Sequence, residues 1–472
     1  ANKDDVLGDG SVKFAYDKTA KKGTLTLDNA NLSSDSTYPI NADGIETLEI
    51  VLKGNNKVFA EGDVCIVANA LIFSGNGSIE IAVGDYAIGT PAIDCYNSFT
   101  VNGGDVKVVG KDYSVYADET AAVNGGTLTL IATDSFGKAL DSFADPMIKL
   151  ADDRVMIAGE KSDGSNAVFT VAGDDYSISA ARFIYVGVKH SHCQCGGNSM
   201  EDGHNHTNEE WLPWASVNSL PTNGGNYYLV NDIVLTSKQV INTNVNICFN
   251  DKKVSVKEGA LNAGDNMLCI GENYSASVTL TDCGTGGALG TSNSEYAVCV
   301  RNESKLIVCS EVAVNGEVVV SNSKVVMKYK AKVNSIVWKE LTDKSTITLL
   351  DKSFVRGNVT VCVAEDNVTT RLTVQDRAKI FGNLSFNITQ SKGSKIILSG
   401  APITIGGNME LVNTSSNENS FIIESENYVI VDRDINMPNI IMNGKFVCAG
   451  EIKDGIFNGL VVNNGKITGG IF

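Results

Sequence analysis

The stretch STITLLDKSFVRGNVTVCV (345–363) recurs twice, as TRLTVQDRAKIFGNLSFNI (370–388) and SKIILSGAPITIGGNMELV (394–412). When the copies are aligned on Gly357, Gly382 and Gly407, the apolar positions fall into columns, and mostly polar positions separate them. The columns are Ile347/Leu372/Ile397, Val355/Ile380/Ile405, Val359/Leu384/Met409 and Val361/Phe386/Leu411. Apolar positions two residues apart indicate β-strands, and a repeat of about 20–50 residues is typical of solenoids. We therefore predict an all-β fold, a right-handed parallel β-helix.

The same pattern extends over most of the chain. SFTVNGGDVKVVG (98–110) recurs as TAAVNGGTLTLIA (120–132), and strand-like segments resume at YYLVNDIVLT (227–236). Between these regions, KHSHCQCGGNSMEDGHNHTNEEWLPW (189–214) lacks apolar alternation. We predict two tandem or stacked β-helical domains, 1–188 and 215–472, joined by a His/Cys-rich junction at 189–214.

Charge and cysteine content restrict the class of protein. The chain has 38 Lys and Arg against 55 Asp and Glu, a net charge of −17, which argues against nucleic acid or an anionic membrane as the partner. No apolar run reaches the length of a membrane span. The chain begins at Ala1 without an initiator Met, which we interpret as a processed product. Most of its 11 cysteines occur inside apolar strand patterns, so we expect free thiols rather than a disulfide framework, as in an anaerobic habitat.

The junction contains the sharpest chemical signal. All four histidines of the chain lie in this short segment, together with two cysteines. The candidate zinc ligands are His190, His192, Cys193, Cys195, His204 and His206. Thiolates and imidazoles in short pairs form tetrahedral zinc sites, so we predict a structural zinc ion here. The alternative is a flexible polar linker in which Cys193 and Cys195 are oxidised.

A second candidate site is a series of aspartates in the first domain. Asp94, Asp118 and Asp141 each end a short apolar segment, at nearly equal intervals that match the length of one coil. In a solenoid these intervals place the carboxylates roughly above one another, where like charges repel unless a cation lies between them. Oxygen ligands in a row suit Ca²⁺. The alternative is three turn aspartates that bond their own backbone.

Gly-Asn pairs recur at Gly357-Asn358, Gly382-Asn383 and Gly407-Asn408. Asn358 and Asn383 also fit the N-glycosylation pattern. Because the pairs keep step with the repeat, we interpret them as turns whose residues adopt the left-handed conformation.

Catalytic patterns are absent from the sequence. Outside the junction there is no histidine, and no nucleophile-elbow or phosphate-loop pattern occurs. Paired acidic residues with a basic partner, as a polysaccharide lyase needs, are not evident. We predict a protein that is not an enzyme.

Two resemblances add to this interpretation. Residues 20–145, with TLTLDNANL, ETLEIVLKG and LIFSGNGSIEI, resemble the non-catalytic carbohydrate-binding β-helix family of clostridial surface proteins, whose fold is similar to that of pectate lyases. The resemblance implies binding of calcium and acidic polysaccharide. The segment from HSHCQCGG to LTDCGTGG (190–287) looks like a module of large surface proteins from gut clostridia.

These observations predict a secreted or cell-surface protein of an anaerobic gut bacterium that binds a polysaccharide or host glycan as an adhesin-like module. One rival is a structural stalk or adhesin that binds a host or bacterial surface protein. The other is a divergent polysaccharide lyase, which would release unsaturated products.

Overall fold

The computed structural model describes residues 4–35, 38–194, 207–262, 265–290, 296–400, 402–414 and 421–472. Its strands wind through about 15 solenoid turns, which confirms the predicted all-β, parallel β-helical fold. The one α-helix of the described ranges is a single short turn, α1 (Asp175–Ser179). Within these ranges no helix is long and apolar enough to cross a membrane.

The chain divides into two compact units. The first comprises Ala1–His190 with Leu212–Val217, and the second comprises Ser191–Trp211 with Asn218–Phe472. The three boundaries between these segments, after His190, Trp211 and Val217, fall within or close to the segment 189–214.

The first unit contains 18 strands, which form a 10-stranded and an 8-stranded sheet. They are β1 (Val12–Asp17), β2 (Lys22–Asp28), β3 (Asn31–Ser34), β4 (Ile40–Asn41), β5 (Thr47–Lys53), β6 (Asn55–Ala60), β7 (Ile66–Gly75), β8 (Ser78–Val83), β9 (Pro91–Val101), β10 (Asp105–Gly110), β11 (Tyr113–Ala117), β12 (Thr120–Val123), β13 (Thr127–Ala132), β14 (Lys138–Ser142), β15 (Ile148–Leu150), β16 (Arg154–Gly159), β17 (Val168–Phe169) and β18 (Phe183–Val188).

Parallel pairing dominates this unit. In one sheet β2, β5, β7, β9, β11 and β14 follow one another, and in the other β3, β6, β8, β10 and β13 do. Alternate side chains point inward, so that Ile50, Phe73, Val101 and Val123 align as one fully buried column. Burial of such columns provides the main stabilisation of a solenoid.

The predicted β-helix over 1–188 is interrupted by antiparallel strands at both ends. Strand β1 pairs antiparallel with β2, and β18 pairs antiparallel with β13 and with β16. Within 144–180, where the sequence repeat weakens, β15 still pairs in parallel with β12, whereas β16 pairs antiparallel with β17 and β18. These strands cover sheet edges that would otherwise expose unpaired backbone groups.

A 27-stranded sheet makes up most of the second unit. Its strands are β19 (His190–His192), β20 (Glu209–Trp214), β21 (Gly225–Leu229), β22 (Ile233–Leu235), β23 (Gln239–Ile241), β24 (Val245–Cys248), β25 (Lys253–Val256), β26 (Leu268–Ile270), β27 (Ser277–Thr281), β28 (Ala288–Leu289), β29 (Tyr296–Val300), β30 (Lys305–Val308), β31 (Ala313–Ser321), β32 (Lys324–Met327), β33 (Lys332–Lys339), β34 (Thr346–Leu349), β35 (Phe354–Val355), β36 (Val359–Ala364), β37 (Thr369–Val374), β38 (Lys379–Ile380), β39 (Leu384–Gln390), β40 (Lys395–Gly400), β41 (Ile403–Ile405), β42 (Met409–Thr414), β43 (Ile422–Val431), β44 (Ile435–Cys448) and β45 (Ile452–Asn463).

Three strands per coil are usual in this unit, and a strand pairs in parallel with its counterpart one coil later, as β21 does with β24 and β24 with β27. Longer strands such as β31 and β43 span two of these positions. The register confirms the columns Val355/Ile380/Ile405, Val359/Leu384/Met409 and Val361/Phe386/Leu411. The column that begins at Ile347 and Leu372 continues through Leu398, and the prediction of Ile397 in that position is wrong.

The Gly-Asn pairs have a different structural role from the predicted one. The left-handed residues of these coils lie at other turns, such as Asp351-Lys352 and Asp376-Arg377, with φ between 50° and 65°. Asn383 instead accepts a hydrogen bond of 2.8 Å from the backbone N–H of Asn408 and donates its own N–H to Asn358 Oδ1 at 2.9 Å. Each asparagine thus links one coil to the next. Glycine precedes it because a Cβ at Gly382 would overlap the backbone one coil earlier.

Candidate functional site

A histidine–cysteine cluster lies on the 27-stranded sheet. It comprises His190, His192, Cys248 and Cys283, and one potential ligand atom of each lies within 4.8 Å of the others. Within the described ranges this is the one group of three or more His, Cys, Asp or Glu with spacing suitable for a metal. His192 and Cys248 are buried, His190 is half-buried and Cys283 is exposed. The cluster is therefore anchored in the core and open to ions at its surface.

The two histidines project from one face of β19 because they are two residues apart on a strand. His192 stacks on Trp211, with ring centroids 4.3 Å apart, and Trp211 Nε1 donates a hydrogen bond of 3.0 Å to the backbone oxygen of His192. His192 Nδ1 lies 2.6 Å from the carbonyl oxygen of Cys193. Because a carbonyl only accepts, Nδ1 carries the proton and Nε2 carries the lone pair that a metal requires.

Cys248 ends β24 and packs with Trp211 and Tyr228 in a small apolar cluster. Its register partner one coil later is Thr281, so Cys283 lies two residues beyond that partner. The hydrogen bond with Cys283 and burial both raise the pKa of the Cys248 thiol. The two sulfurs are thus brought together by successive coils.

Two carboxylates fix the turn that contains Cys283. The buried Asp282 accepts hydrogen bonds from the backbone N–H groups of Asp251, at 2.9 Å, and Gly287, at 2.8 Å. Asp251 in turn accepts from Thr285 and Gly286, both at 2.8 Å. The turn is therefore held in place independently of any ligand on Cys283.

Only part of the predicted zinc set enters this cluster. His190 and His192 belong to it, whereas Cys193 directly follows the end of β19 and is not a member. Cys195, His204 and His206 lie outside the described residues. The sequence does not single out Cys248 and Cys283, because the apolar setting of Cys248 resembles a core position and the two lie on different coils.

In the first unit, Asp94 aligns with Tyr116 in the next coil, and Tyr116 aligns with Asp141 in the coil after that. Asp118 lies two residues beyond Tyr116, so the predicted vertical stack of three aspartates is wrong at its middle position. The three carboxylates do not reach the mutual spacing of metal ligands among the described residues. Calcium binding there stays a prediction.

Instead, aspartates alternate with aromatic residues along these strands. Each aligned residue has a partner two positions later, which is Tyr96 on β9 itself and Asp118 and Phe143 directly after the ends of β11 and β14. We call this surface the aspartate–aromatic face, formed by Asp94, Tyr96, Tyr116, Asp118, Asp141 and Phe143. The exposed fraction is 44% for Tyr96 and 78% for Phe143, and the rings of Tyr116 and Phe143 meet edge to face at 6.1 Å.

The charges on this face interact strongly. A hydrogen bond to Asp118, burial and the negative charge of all three aspartates raise the pKa of Tyr116 to about 12. Burial, together with the charge of Asp118, raises the pKa of Asp94. Asp141 forms an ion pair with Lys138, at 3.1 Å. Such an arrangement of like charges costs stability, and costs of this kind are typical of binding surfaces.

A shallow groove of 280 Å³ crosses the outer face of the 8-stranded sheet. Its polar side chains largely bond one another between coils: Lys107 with Glu80 at 2.7 Å, and Thr127 with Asp105 at 2.8 Å. A ligand here would have to displace these bonds.

Comparisons of the chain with protein-family models, with curated proteins and with solved structures gave no match. Its function is therefore inferred from its own residues and their geometry.

Proposed function

We propose that the first unit binds carbohydrate on the aspartate–aromatic face, and that the protein acts outside the cell, secreted or on the surface, without catalysing a reaction. The supporting observation is the alternation itself. The register of β9, β11 and β14 aligns Asp94, Tyr116 and Asp141, so that the Tyr116 ring has a carboxylate on either side, and a residue of the opposite kind follows each of them two positions later.

This combination suits sugars for a chemical reason. An aromatic ring offers an apolar surface for the C–H face of a pyranose, as Tyr and Trp do at other amphipathic interfaces. Adjacent carboxylates accept hydrogen bonds from the hydroxyls at the edge of the sugar, and bonds to charged acceptors are the stronger ones. Tyr96 and Phe143 provide the exposed rings, and Asp118 lies between them in the sequence of coils.

The spacing also suits an extended chain. Adjacent strands lie about 4.8 Å apart, which is similar to the length of one sugar residue. A glycan running across the strands would therefore meet a new ring or carboxylate at each unit. Lys138 pairs with one of the three carboxylates, and the negative charge that remains favours neutral or amino sugars, whereas uronic acids would need a bridging Ca²⁺.

The aspartate–aromatic face suits a ligand better than the groove on the 8-stranded sheet. In the groove Lys107 and Glu80 already neutralise each other. On the aspartate–aromatic face Asp94 has a raised pKa because burial and the charge of Asp118 disfavour its ionised form. Hydroxyl donors from a sugar would stabilise that charge and improve binding.

The test is an array of neutral, amino and uronic oligosaccharides probed with the full chain, in Ca²⁺ or in a chelator. We expect binding that Tyr96→Ala or Asp118→Ala weakens by about tenfold or more, the loss of roughly one good contact. Tyr274→Ala is the matched control, because Tyr274 is a 74% exposed tyrosine of the second unit.

Three outcomes would count against the proposal. They are no binding to any sugar, equal loss in the Tyr274→Ala control, and release of unsaturated products from a uronic polymer, which would mark the chain as a lyase. Binding of uronic sugars only in Ca²⁺ would assign the cation to Asp94, Asp118 and Asp141. Antibody labelling of intact cells tests the location, and labelling only after lysis would contradict it.

A further inference from the structure

We infer that His190, His192, Cys248 and Cys283 form a structural zinc site, which binds β19 to two successive coils of the 27-stranded sheet. The site differs from the set expected from the junction alone, since half of its ligands come from the solenoid itself. It is independent of carbohydrate binding.

The geometry is close to that of a tetrahedral site. Zinc binds thiolate sulfur at about 2.3 Å and imidazole nitrogen at about 2.0–2.1 Å, so ligand atoms around one ion lie roughly 3.3–3.8 Å apart. The four candidate atoms already lie within 4.8 Å of one another. Small side-chain rotations would therefore complete the site, without movement of the strands.

Charge balance and ligand type both favour zinc. Two thiolates neutralise Zn²⁺, and two neutral imidazoles add no charge, so the loaded site is neutral and can be buried beside Trp211 at little cost. A set of two sulfurs and two nitrogens in a tetrahedron is typical of zinc, whereas calcium and magnesium require oxygen ligands.

The surroundings hold the ligands in place before the metal binds. The hydrogen bond from His192 Nδ1 to the Cys193 carbonyl leaves the lone pair for a metal on Nε2, the usual tautomer of a ligating histidine. Asp251 and Asp282 fix the turn that carries Cys283. Preorganisation of this kind is absent from an accidental cluster of side chains, and it reduces the entropy lost on binding.

With all four positions occupied by protein, no coordination site remains for water or substrate, so the ion has a structural role. It would connect residues that are distant in the chain, from His192 to Cys248 and from Cys248 to Cys283. A metal that closes such loops stabilises the folded state because it restricts the unfolded chain.

The test begins with metal-free full chain kept under a phosphine reductant and titrated with Zn²⁺ against a chromophoric chelator. We expect one equivalent of tightly bound zinc, and Co²⁺ in its place should give visible tetrahedral bands with a thiolate charge-transfer band. Cys283→Ser should weaken zinc binding by at least about 100-fold. Because Cys283 is exposed, this variant should keep its fold, which circular dichroism checks.

Two variants serve as controls. Cys362→Ser removes a half-buried cysteine of the same unit outside the cluster, and Cys193→Ser removes the junction cysteine beside His192. Both should bind one zinc with unchanged affinity. Loss of zinc in Cys193→Ser with retention in Cys283→Ser would overturn the assignment, as would the absence of stoichiometric zinc from the wild type. A Cys248–Cys283 disulfide in protein that binds no zinc after reduction would overturn it as well.

Discussion

Leu372 lies directly opposite Leu398 in the next coil, and both side chains are fully buried. The residue before Leu398, Ile397, lies opposite Arg371 and is half-buried. Because Leu398 fills the core, Leu398→Ala should leave a cavity and lower the free energy of unfolding by about 2–5 kcal/mol. Ile397→Ala should lower it by about 1 kcal/mol or less. Urea unfolding of both variants measures the difference.

Ile397→Ala is the matched control for Leu398→Ala, because both substitutions remove a branched aliphatic group from the same strand. Equal losses, or a larger loss for Ile397→Ala, would mean that β40 pairs in a register shifted by one residue. Such a shift would move every side chain of the strand to the opposite face.

The coil repeat predicts most of the register but not this position. Val363 pairs with Ile388, yet the next residue, Ala364, pairs with Gln390, so β39 contains one extra residue at Thr389. A bulge of this kind shifts the register after it without any change in the apolar pattern. The constant offset of the sequence repeat is therefore one residue short from Ala364 to Val374 and correct again at Ile380, which pairs with Ile405.

The same reasoning explains what is predictable at the candidate sites. His190 and His192 stand out because histidine is confined to one segment of the sequence. Cys248 and Cys283 do not stand out in the sequence. The segment between β25 and β26 lengthens their coil, so that Cys248 pairs with Thr281, farther along the chain than the regular repeat predicts. Sequence columns drawn at the regular length of the repeat cannot align them.

For the aspartates, the sequence predicts an alignment that the register does not contain. Asp94, Asp118 and Asp141 are almost evenly spaced in the sequence, but the register pairs Asp94 with Tyr116 and Tyr116 with Asp141, which are unequal steps. Each coil has its own length, so equal intervals in the sequence do not guarantee vertical neighbours. The alternation with aromatic residues becomes visible only in the register.

Replacement of Asp94 should stabilise the first unit near neutral pH. Burial and Asp118 raise the pKa of Asp94, so its ionised form is less favourable in the folded than in the unfolded state. The cost is present at neutral pH and disappears as the pH falls below the ordinary aspartate value of about 4, where the group is protonated in both states. Asp94→Asn should therefore raise Tm by about 2 °C at pH 7 and not at pH 3.

Calorimetry with and without Ca²⁺ makes this measurement and also tests the cation. If no Ca²⁺ binds beside Asp94, adding Ca²⁺ leaves the Tm of the wild type and of Asp94→Asn unchanged. If Ca²⁺ does bind there, it raises the Tm of the wild type alone, by an amount that grows with the Ca²⁺ concentration. A lower Tm for Asp94→Asn at pH 7 without Ca²⁺ would contradict the assigned effect of burial. Asp134→Asn, at a turn of the same unit, is the control.

Mild oxidation should join Cys269 and Cys299. Their sulfurs lie 2.6 Å apart on adjacent parallel strands, in a small cluster separate from the main core. The hydrogen bond from Cys269 lowers the pKa of Cys299, which favours the thiolate that attacks the oxidant. Diamide accepts two electrons and two protons from the pair and leaves a disulfide.

Peptide mapping after diamide should find the Cys269–Cys299 disulfide, and Cys299→Ser should abolish it. Cys65 is a suitable internal control because burial raises the pKa of its thiol to about 12. A reaction at Cys65 before the pair, or an unreactive pair in folded protein, would contradict the prediction.

Loss of the Asp251 side chain should weaken zinc binding without removing a ligand. Asp251 accepts hydrogen bonds from Thr285 and Gly286 and so holds the turn that carries Cys283. Replacement of a group that supports a metal ligand typically costs about 10–100-fold in affinity, and we expect a loss of that size for Asp251→Ala at an unchanged stoichiometry of one zinc. Asp376→Ala tests an equivalent left-handed turn aspartate far along the same unit, and its zinc affinity should equal that of the wild type. If Asp251→Ala binds zinc as tightly as Asp376→Ala, the turn does not position Cys283, and the preorganisation assigned to it is wrong.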